Sequence, residues 1–326
     1  MGIDPPRRGP CPSGPVGITG RVRPGIKVQD GCDSRCAYCI VWKARGPSRS
    51  LGLDEVVARV RDASAQGAGE VVLTGINLGR YDVPLGGGRA GLARLVDAVL
   101  ERTDVGRVRL SSVEPLDVTP ELLGVMSASD GRVAPFLHLP LQSGCDATLA
   151  RMGRPYDSGG YRSVAEAARE ALPALALACD VMVGFPGEDE GEFSSSHGFC
   201  REMAFARMHV FRYSPRPGTV AAAASGQVAP AEKAARGERM RSLSREMRAS
   251  YLSGLVGRTE RVCVESPGRA TTGGLAEALV DERLPVGGLS DVLVRAVGRD
   301  GLLDARPPLS ASGDITAGDG AGHHNR

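Results

Sequence analysis

The hydrophobic and polar positions of this chain follow two periods between residues 25 and 213. Short apolar runs predict buried strands at 25–29, 70–75, 107–112, 135–140, 175–185 and 207–213. Between these runs, apolar residues recur at helical spacing, and the predicted helices start near 54 and 92 or cover 119–129, 146–152, 160–171 and 189–203. Buried strands that alternate with amphipathic helices indicate parallel βα units and an α/β fold.

Six such strands predict a partial (β/α)6 barrel over residues 25–228, in which the loops after the strands line the active face. The unusual loops of the chain stand at these positions: "GCDSRCAYC", "TGIN", "SSVEP", "LQSG" and "GFPGE". We therefore expect five loops to converge on one rim of the barrel.

The pattern changes after residue 228. Residues 229–256 predict a charged connecting helix, whose arginines are candidates for phosphate contacts: Arg236, Arg239, Arg241, Arg245 and Arg248. Residues 257–304 carry short strand patterns between glycine turns and predict a small all-β barrel. We expect tails at 1–24 and at 305–326, the second disordered because it is rich in Gly, Ser and Ala.

Composition narrows the function classes. The formal net charge is only +2, so bulk charge does not indicate a nucleic-acid partner. No stretch approaches the ~20 apolar residues that a membrane span needs, and the N-terminus lacks the apolar segment of a signal peptide. We therefore expect a cytoplasmic protein without a membrane partner, in which the eight cysteines do not form a disulfide framework.

Three of the cysteines, Cys32, Cys36 and Cys39, stand within eight residues in the spacing Cys-x3-Cys-x2-Cys. The others are scattered and fit small buried hydrophobes or idle thiols: Cys11, Cys145, Cys179, Cys200 and Cys263. A structural zinc site wants four ligands, usually in two pairs, and no second pair follows. A cubane iron–sulfur cluster held by three cysteines leaves one iron free to bind a substrate or cofactor, and we favour it over zinc.

With Tyr38 just before the third cysteine, this loop resembles the signature of the radical S-adenosylmethionine (SAM) enzymes. The resemblance implies one 4Fe-4S cluster whose open iron is chelated by the amino and carboxylate groups of S-adenosyl-L-methionine. One electron then cleaves the cofactor to methionine and a 5′-deoxyadenosyl radical, which abstracts hydrogen. Such a radical has to be kept from water, so a closed barrel suits it.

Further blocks resemble the radical-SAM methylthiotransferases: "KVQDGCDSRCAYCI", "HLPLQSG", "RMGRPY", "DVMVGFPGE" and "YSPRPGT". "VVLTGIN" and "RLSSVEP" are most similar to the branch that thiomethylates threonylcarbamoyl-adenosine in tRNA. The terminal barrel resembles a shortened TRAM domain, an OB-type barrel that grips RNA. The resemblance thus implies C2 methylthiolation of that adenosine next to the anticodon, with tRNA and an electron donor such as flavodoxin or ferredoxin as partners.

The resemblance also assigns roles to residues. Cys32, Cys36 and Cys39 match the cluster ligands, and Glu114 and Arg154 are the candidate catalytic residues. The candidate cofactor contacts are Tyr38, Thr74, Gly75, Asn77, Ser111, Ser112, Glu114, Gln142, Ser143, Gly184, Phe185, Gly187 and Glu188. The alternative for the glycines is a plain turn, and for Glu114 or Arg154 a solvated charge.

The family also carries an N-terminal domain in which three further cysteines hold a second cluster, the sulfur source. Upstream of Gly25 this chain has 24 residues and one cysteine, Cys11. We therefore expect a truncated or split enzyme that needs a separate auxiliary-cluster domain. The alternatives are an RNA-binding module that keeps the radical-SAM fold without sulfur insertion, and a radical-SAM enzyme for another substrate.

Overall fold

The computed structural model describes residues 22–307, so Cys11 and almost all of both predicted tails lie outside the described part. The strands are β1 (Gly25–Lys27), β2 (Gln29–Asp30), β3 (Arg49–Ser50), β4 (Glu70–Thr74), β5 (Asp82–Leu85), β6 (Gly88–Gly91), β7 (Arg107–Leu110), β8 (Phe136–His138), β9 (Ala176–Val183), β10 (Arg207–Arg212), β11 (Thr259–Ser266), β12 (Arg269–Thr272), β13 (Glu277–Leu279), β14 (Leu289–Val297) and β15 (Leu303–Arg306). The helices are α1 (Val41–Arg45), α2 (Leu53–Ala65), α3 (Leu92–Arg102), α4 (Pro120–Ala128), α5 (Asp146–Met152), α6 (Ser158–Ala171), α7 (Glu190–Met203), α8 (Val220–Ala223) and α9 (Pro230–Ser253).

Six parallel strands form the wall of the larger domain in the order in which they occur in the chain. β1, β4 and β7 pair in parallel, and so do β8, β9 and β10. Isolated parallel bridges from Val108 to Val133 and from Ser112 to His138 connect the two halves. Because each crossover between neighbouring strands carries a helix, the wall is a partial βα barrel, and the predicted α/β fold is confirmed.

The two faces of this wall differ in polarity. The outward side chains are apolar and fully buried against the helices, for example Leu73, Leu110 and Leu137 in one continuous core. The alternate positions of the same strands include Glu70 and His138, which face the inside of the barrel. The inside thus carries charged and polar side chains among apolar ones, while the outer side is apolar and packs against the helices.

The sequence prediction missed a hairpin between β4 and α3. Its strands, β5 and β6, are joined by Gly86 and Gly87, which have φ of +54° and +84°. Two left-handed residues form the turn that suits the twist of a tight hairpin, and glycine adopts them without strain. The Gly-Gly pair was the signal that could have identified it.

Five strands close the small barrel in the order β11-β12-β13-β15-β14. Its interior packs small apolar side chains, among them Val262, Val264 and Ala305. Because Leu303 and Ala305 are part of this interior, the barrel continues to Arg306, two residues beyond its predicted end at residue 304. Within residues 22–307, no helix combines the length and the apolar character that crossing a membrane requires.

The small barrel covers the amino ends of the parallel strands, opposite the rim. The N–H of Gly69, just before β4, donates to the carbonyl oxygen of Gly287 at 2.9 Å. A Cβ on Gly274 would lie only 2.0 Å from the Tyr251 hydroxyl and 2.8 Å from the Ala176 Cβ. This close approach closes the floor of the βα barrel.

A buried network of ion pairs and hydrogen bonds joins the βα barrel to the small barrel. The Glu70 carboxylate accepts hydrogen bonds from Arg107 Nε at 2.5 Å and from Arg109 Nε at 2.7 Å. The same arginines donate to the carbonyl oxygens of Arg261 and Gly273 in the small barrel, both at 2.6 Å. Burial alone would raise the pKa of the Glu70 carboxyl, but the two guanidinium groups outweigh burial and hold it below its usual value.

We expect Glu70→Gln to lower the free energy of unfolding by about 3–5 kcal/mol, because it leaves two buried guanidinium groups without their carboxylate. Urea unfolding measures the difference, with Glu101→Gln on the exposed face of α3 as the matched control. The folded pKa of Glu70 lies below 4.5, so its charge should stabilise the fold above that pH and lose this effect as the pH falls further. A Glu70→Gln protein as stable as the control would contradict this role.

Candidate functional site

The three clustered cysteines lie on the loop between β2 and α1, at the carboxyl end of the first strand. Gly31 begins this loop with φ of +75°, and a Cβ there would lie 2.0 Å from a carbonyl oxygen of the returning chain. The N–H of Cys32 donates to Gly46 at 3.0 Å, and the N–H of Ala37 donates to Met152 at 2.9 Å. Backbone contacts therefore hold the loop at both of these points.

Cys32, Cys36 and Cys39 are free thiols, of which Cys36 is buried and the other two are half-buried. Burial raises the pKa of the Cys39 thiol, and the neighbouring Cys36 and Cys32 thiols act in the same direction. In the described chain, no three His, Cys, Asp or Glu side chains converge closely enough to hold a single metal ion. A single ion needs all its ligands around one centre, whereas a cubane cluster takes each cysteine at a different iron. The donor set therefore fits a cluster better than zinc.

Gln29, a buried residue that the sequence analysis did not single out, joins this loop to the next one. Its Oε1 accepts the N–H of Asn77 at 2.8 Å. Its Nε2 donates to the carbonyl oxygen of Gly31 at 2.8 Å and to Ser48 Oγ at 2.9 Å. One amide thus fixes the distance between the cysteine loop and the loop after β4.

Among the buried polar atoms that have no hydrogen-bond partner in the described residues are Asn77 Oδ1, after β4, and Ser111 Oγ, after β7. Buried polar atoms are normally paired, so both are available to a ligand. Thr74 ends β4, and the next residue, Gly75, is packed so tightly that a Cβ would lie 2.8 Å from Gln29 Oε1. These unpaired polar atoms, on two loops that follow neighbouring strands, suit the polar end of S-adenosylmethionine.

Glu114 and Arg154 form an ion pair on the same rim. Arg154 is 3% exposed, and it also donates from Nη1 to the Cys36 sulfur at 3.2 Å and from Nε to the Tyr156 hydroxyl at 3.1 Å. Burial raises the pKa of the Glu114 carboxyl, while the Arg154 charge acts in the opposite direction. One guanidinium therefore connects a cluster cysteine to a rim carboxylate, as a residue that supports a metal ligand does.

Gln142 and Ser143 follow β8, where the sequence predicts them, but their contacts serve the local fold. Gln142 has φ of +67°, and its N–H donates to the carbonyl oxygen of Asp180 at 2.8 Å. Ser143 Oγ accepts the N–H of Cys145 at 3.2 Å. These hydrogen bonds explain both conformations without a ligand, and the cofactor contacts assigned to them stay predictions.

The loop from Gly184 to Glu188 is fixed against α9. Glu188 Oε1 accepts the N–H of Gly184 at 2.9 Å and Arg236 Nη1 at 3.0 Å, and both side chains are 2% exposed. A Cβ on Gly184 would lie 2.4 Å from Lys233 Cγ. The Glu188 carboxylate is thus engaged in a buried ion pair, and the predicted phosphate contact of Arg236 is wrong because its guanidinium is enclosed.

Aromatic rings form one wall of the site. Phe185 meets Tyr38 edge-on with ring centroids 6.5 Å apart, and it meets Tyr213 at 5.3 Å. Gly187, with φ of +78°, ends this turn by donating its N–H to Gly226 at 2.8 Å. The wall is apolar and lies beside the cysteine loop, so it limits access of water.

A polar chain inside the barrel has only one member that the sequence analysis singled out, Ser112. Its Oγ lies 2.6 Å from His138 Nδ1, and His138 Nε2 lies 3.2 Å from Asp180 Oδ1. His209 on β10 packs edge-on against His138, with ring centroids 6.1 Å apart. These residues come from four different segments, so no pattern within one stretch of the sequence predicts that they are in contact.

The comparisons with known proteins agree with this site. Residues 26–200 match the Radical SAM superfamily. The solved structure of the radical SAM methyltransferase TsrM from Kitasatospora setae resembles the chain with a TM-score of 0.52 and 16% identity, over 61% of this chain and 38% of that one. At such low identity this likeness shows the fold alone.

Curated relatives are closer in sequence. The chain is 32% identical to the threonylcarbamoyladenosine tRNA methylthiotransferase MtaB of Thermotoga maritima, over 89% of this chain and 67% of the relative. It is 38% identical to the protein of the same name from Bacillus subtilis, over 72% and 52%. It is 34% identical to the tRNA-2-methylthio-N(6)-dimethylallyladenosine synthase of Jannaschia, over 75% of this chain and 53% of the relative.

The chain thus spans between about half and two thirds of the length of these relatives. The family match covers more than half of the chain and includes the cysteine loop, the rim and five of the six parallel strands. The chain belongs to the radical-SAM methylthiotransferase family.

Proposed function

We propose that the chain is the catalytic core of a tRNA methylthiotransferase that acts at C2 of threonylcarbamoyl-adenosine next to the anticodon. The observation that carries this proposal is the three-cysteine loop together with the unpaired buried polar atoms on the rim. Three thiols leave one iron of a cubane cluster free, and these polar atoms can bind the cofactor that is held there. The two relatives named for threonylcarbamoyladenosine support this substrate.

Different residues of the rim would bind the iron–sulfur cluster and S-adenosylmethionine. Cys32, Cys36 and Cys39 would hold one 4Fe-4S cluster, and the residues that would hold S-adenosylmethionine are Asn77, Ser111 and Glu114. Bound together, these cofactors supply the one-electron chemistry that produces a carbon radical able to abstract hydrogen. Arg154 orients the Glu114 carboxylate and donates a hydrogen bond to the Cys36 sulfur, which tunes the cluster environment.

Two features of the chain would keep water from the reacting carbon. The small barrel closes the floor of the βα barrel through the contacts of Arg107 and Arg109. The rings of Tyr38, Phe185 and Tyr213 form the apolar wall beside the cysteine loop. Excluding water protects a reactive radical from quenching, so a closed floor and a dry wall suit this chemistry.

The sulfur donor is the part of the reaction that this chain does not supply. Outside the cysteine loop, Cys179, Cys200 and Cys263 are buried in the core, and Cys145 is half-buried after β8. The full sequence offers no second cysteine triplet that would hold another cluster. We therefore assign the sulfur to a separate auxiliary-cluster domain, which the greater length of the relatives supports.

We also propose that the small barrel is an RNA-binding barrel of the TRAM type. A groove of about 680 Å³ between β10, α9 and this barrel is lined by four arginines: Arg207, Arg245, Arg248 and Arg299. Arg245 pairs with Glu238, and Arg248 donates to backbone carbonyl groups. In the described chain Arg207 and Arg299 form no ion pair, so they are better placed for phosphate than the helix arginines.

Cys36→Ala should abolish most iron binding, because the chain offers only three clustered thiols. Wild-type protein reconstituted without oxygen should hold about four iron and four sulfide per chain, measured by metal and sulfide analysis. Cys145→Ala, a half-buried cysteine outside the loop, is the matched control and should retain the cluster. Stoichiometric zinc without visible charge-transfer absorption would contradict the proposed cluster.

Glu114→Gln should weaken S-adenosylmethionine binding by about 1–3 kcal/mol, because the amide cannot make a charged hydrogen bond. Equilibrium binding to the iron-loaded protein measures this, and iron content should stay at the wild-type level. Glu121→Gln on the exposed face of α4 serves as the control. Equal cofactor affinity in both variants would show that Glu114 only balances the Arg154 charge.

The chain alone should cleave S-adenosylmethionine but leave threonylcarbamoyl-adenosine tRNA unmodified. Holding the sulfur beside the target carbon is worth about 7–11 kcal/mol of the barrier, which dissolved sulfide cannot replace. Adding the auxiliary-cluster domain of a relative, fused or as a separate chain, should restore the product. Mass spectrometry of nucleosides decides this, and a clear methylthio product from the chain alone would prove the separate sulfur source wrong.

A further inference from the structure

The inside of the barrel carries a group of four polar side chains below the rim, which we call the lumen cluster: Ser112, His138, Asp180 and His209. The residues that flank these positions on β8, β9 and β10 are buried in the outer core, among them Leu137, Cys179 and Val181. Alternation along a strand therefore directs the lumen cluster to the inside. Its members are only partly buried: the Asp180 side chain is 27% exposed and that of His138 is 13% exposed.

The hydrogen bonds of the lumen cluster determine what it can offer to a ligand. An ionised carboxylate only accepts, so His138 Nε2 donates to Asp180 Oδ1 across 3.2 Å. In the neutral imidazole, Nδ1 then accepts from the Ser112 hydroxyl across 2.6 Å. The Ser112 hydroxyl and the His138 N–H are thereby used internally, while Asp180 Oδ2 and the Ser112 oxygen keep free lone pairs. The neutral His209 ring adds one N–H donor and one acceptor nitrogen. Ser112 and Asp180 are therefore the members that offer acceptors to the lumen.

A half-exposed aromatic ring stands next to these acceptors. Phe211 lies two positions after His209 on β10, so both side chains face the same side of the strand. Its side chain is 50% exposed, although it is large and apolar. A flat ring that can bind a base by stacking, beside acceptors for N–H groups, suits a purine that bears a polar N–H substituent.

We propose that the lumen cluster binds the N6 substituent of the target adenosine and selects a threonylcarbamoyl group over a dimethylallyl group. This inference rests on the proposed function and names the residues that set its substrate. A threonylcarbamoyl group carries N–H donors on both sides of its carbonyl, and Asp180 and Ser112 can accept from them. A dimethylallyl group has no hydrogen-bond donor beyond the N6–H group. It would therefore exclude water from these acceptors without forming hydrogen bonds to them.

The physical basis of the selection is the cost of unpaired polar groups. A site built to hydrogen-bond a donor rejects the analogue that lacks it far more strongly than an apolar pocket rejects a different shape.

Binding of three RNA hairpins to the iron-loaded chain tests the proposal by fluorescence anisotropy. The hairpins carry threonylcarbamoyl-adenosine, dimethylallyl-adenosine or plain adenosine at the same position. Wild type should bind the first most tightly, and Asp180→Asn should weaken that binding about tenfold or more, because a charged hydrogen bond is lost. Binding of the plain hairpin should change much less, since it lacks the carbamoyl donors.

Two further variants keep the result interpretable. Asp97→Asn, the same substitution on the exposed face of α3, should bind all three hairpins as wild type does. Asp180→Ser gives a second measurement if the first variant folds poorly, and it should lose the same preference. A preference that persists in both Asp180 variants overturns the proposal.

A wild-type chain without any preference for the threonylcarbamoyl hairpin also overturns the role of the lumen cluster. The proposed function has its own readout, the methylthio product formed with the auxiliary-cluster domain present. A product without hairpin preference would therefore refute the lumen cluster alone, whereas preference without a product would refute the proposed reaction.

Discussion

The carboxylate of Glu70, shared by Arg107 and Arg109, is the contact on which the arrangement of the two domains depends. Two guanidinium groups could not be buried at this position without a counter-charge, because desolvating them costs several kcal/mol each. Both reach carbonyl groups of the small barrel, so the same charges that stabilise the floor of the βα barrel also attach the second domain. Removing residues after 257 would expose this network, and point variants of Arg207 and Arg299 are the cleaner probe of RNA binding.

With its floor closed, the βα barrel exposes its chemistry only at the rim and along its open side. Gln29 and Arg154 each connect two segments of that rim. Gln29 fixes the cysteine loop to the loop after β4, and Arg154 connects Cys36 to Glu114. Both act through hydrogen bonds between segments far apart in sequence, so the position of the cysteine loop depends on the loops after β4 and β7.

The sequence alone predicted the order and type of the main helices and strands, because the spacing of apolar residues reflects which side of each helix or strand is buried. All six strands of the barrel wall and the loops that follow them were predicted, and so was the long helix α9. The network of Glu70 and the lumen cluster were not, since their partners meet only in the folded chain. The sequence analysis also expected Glu188 to contact the cofactor. Its ion pair with Arg236 could not be predicted from the "GFPGE" loop, because Arg236 lies 48 residues further along the chain.

The proposed lumen site and the proposed sulfur donor would both act on the same base of the substrate. In adenosine the N6 substituent and C2 project in different directions from one six-membered ring. If the lumen cluster holds the N6 substituent below the rim, the C2 edge of the base would be free to face the cysteine loop. A sulfur donor that reaches C2 would then have to approach from the open rim, because the small barrel occupies the floor. The N6 substituent would thus be an anchor that sets the direction of attack, which would give a physical reason for modifying an adenosine that already carries one.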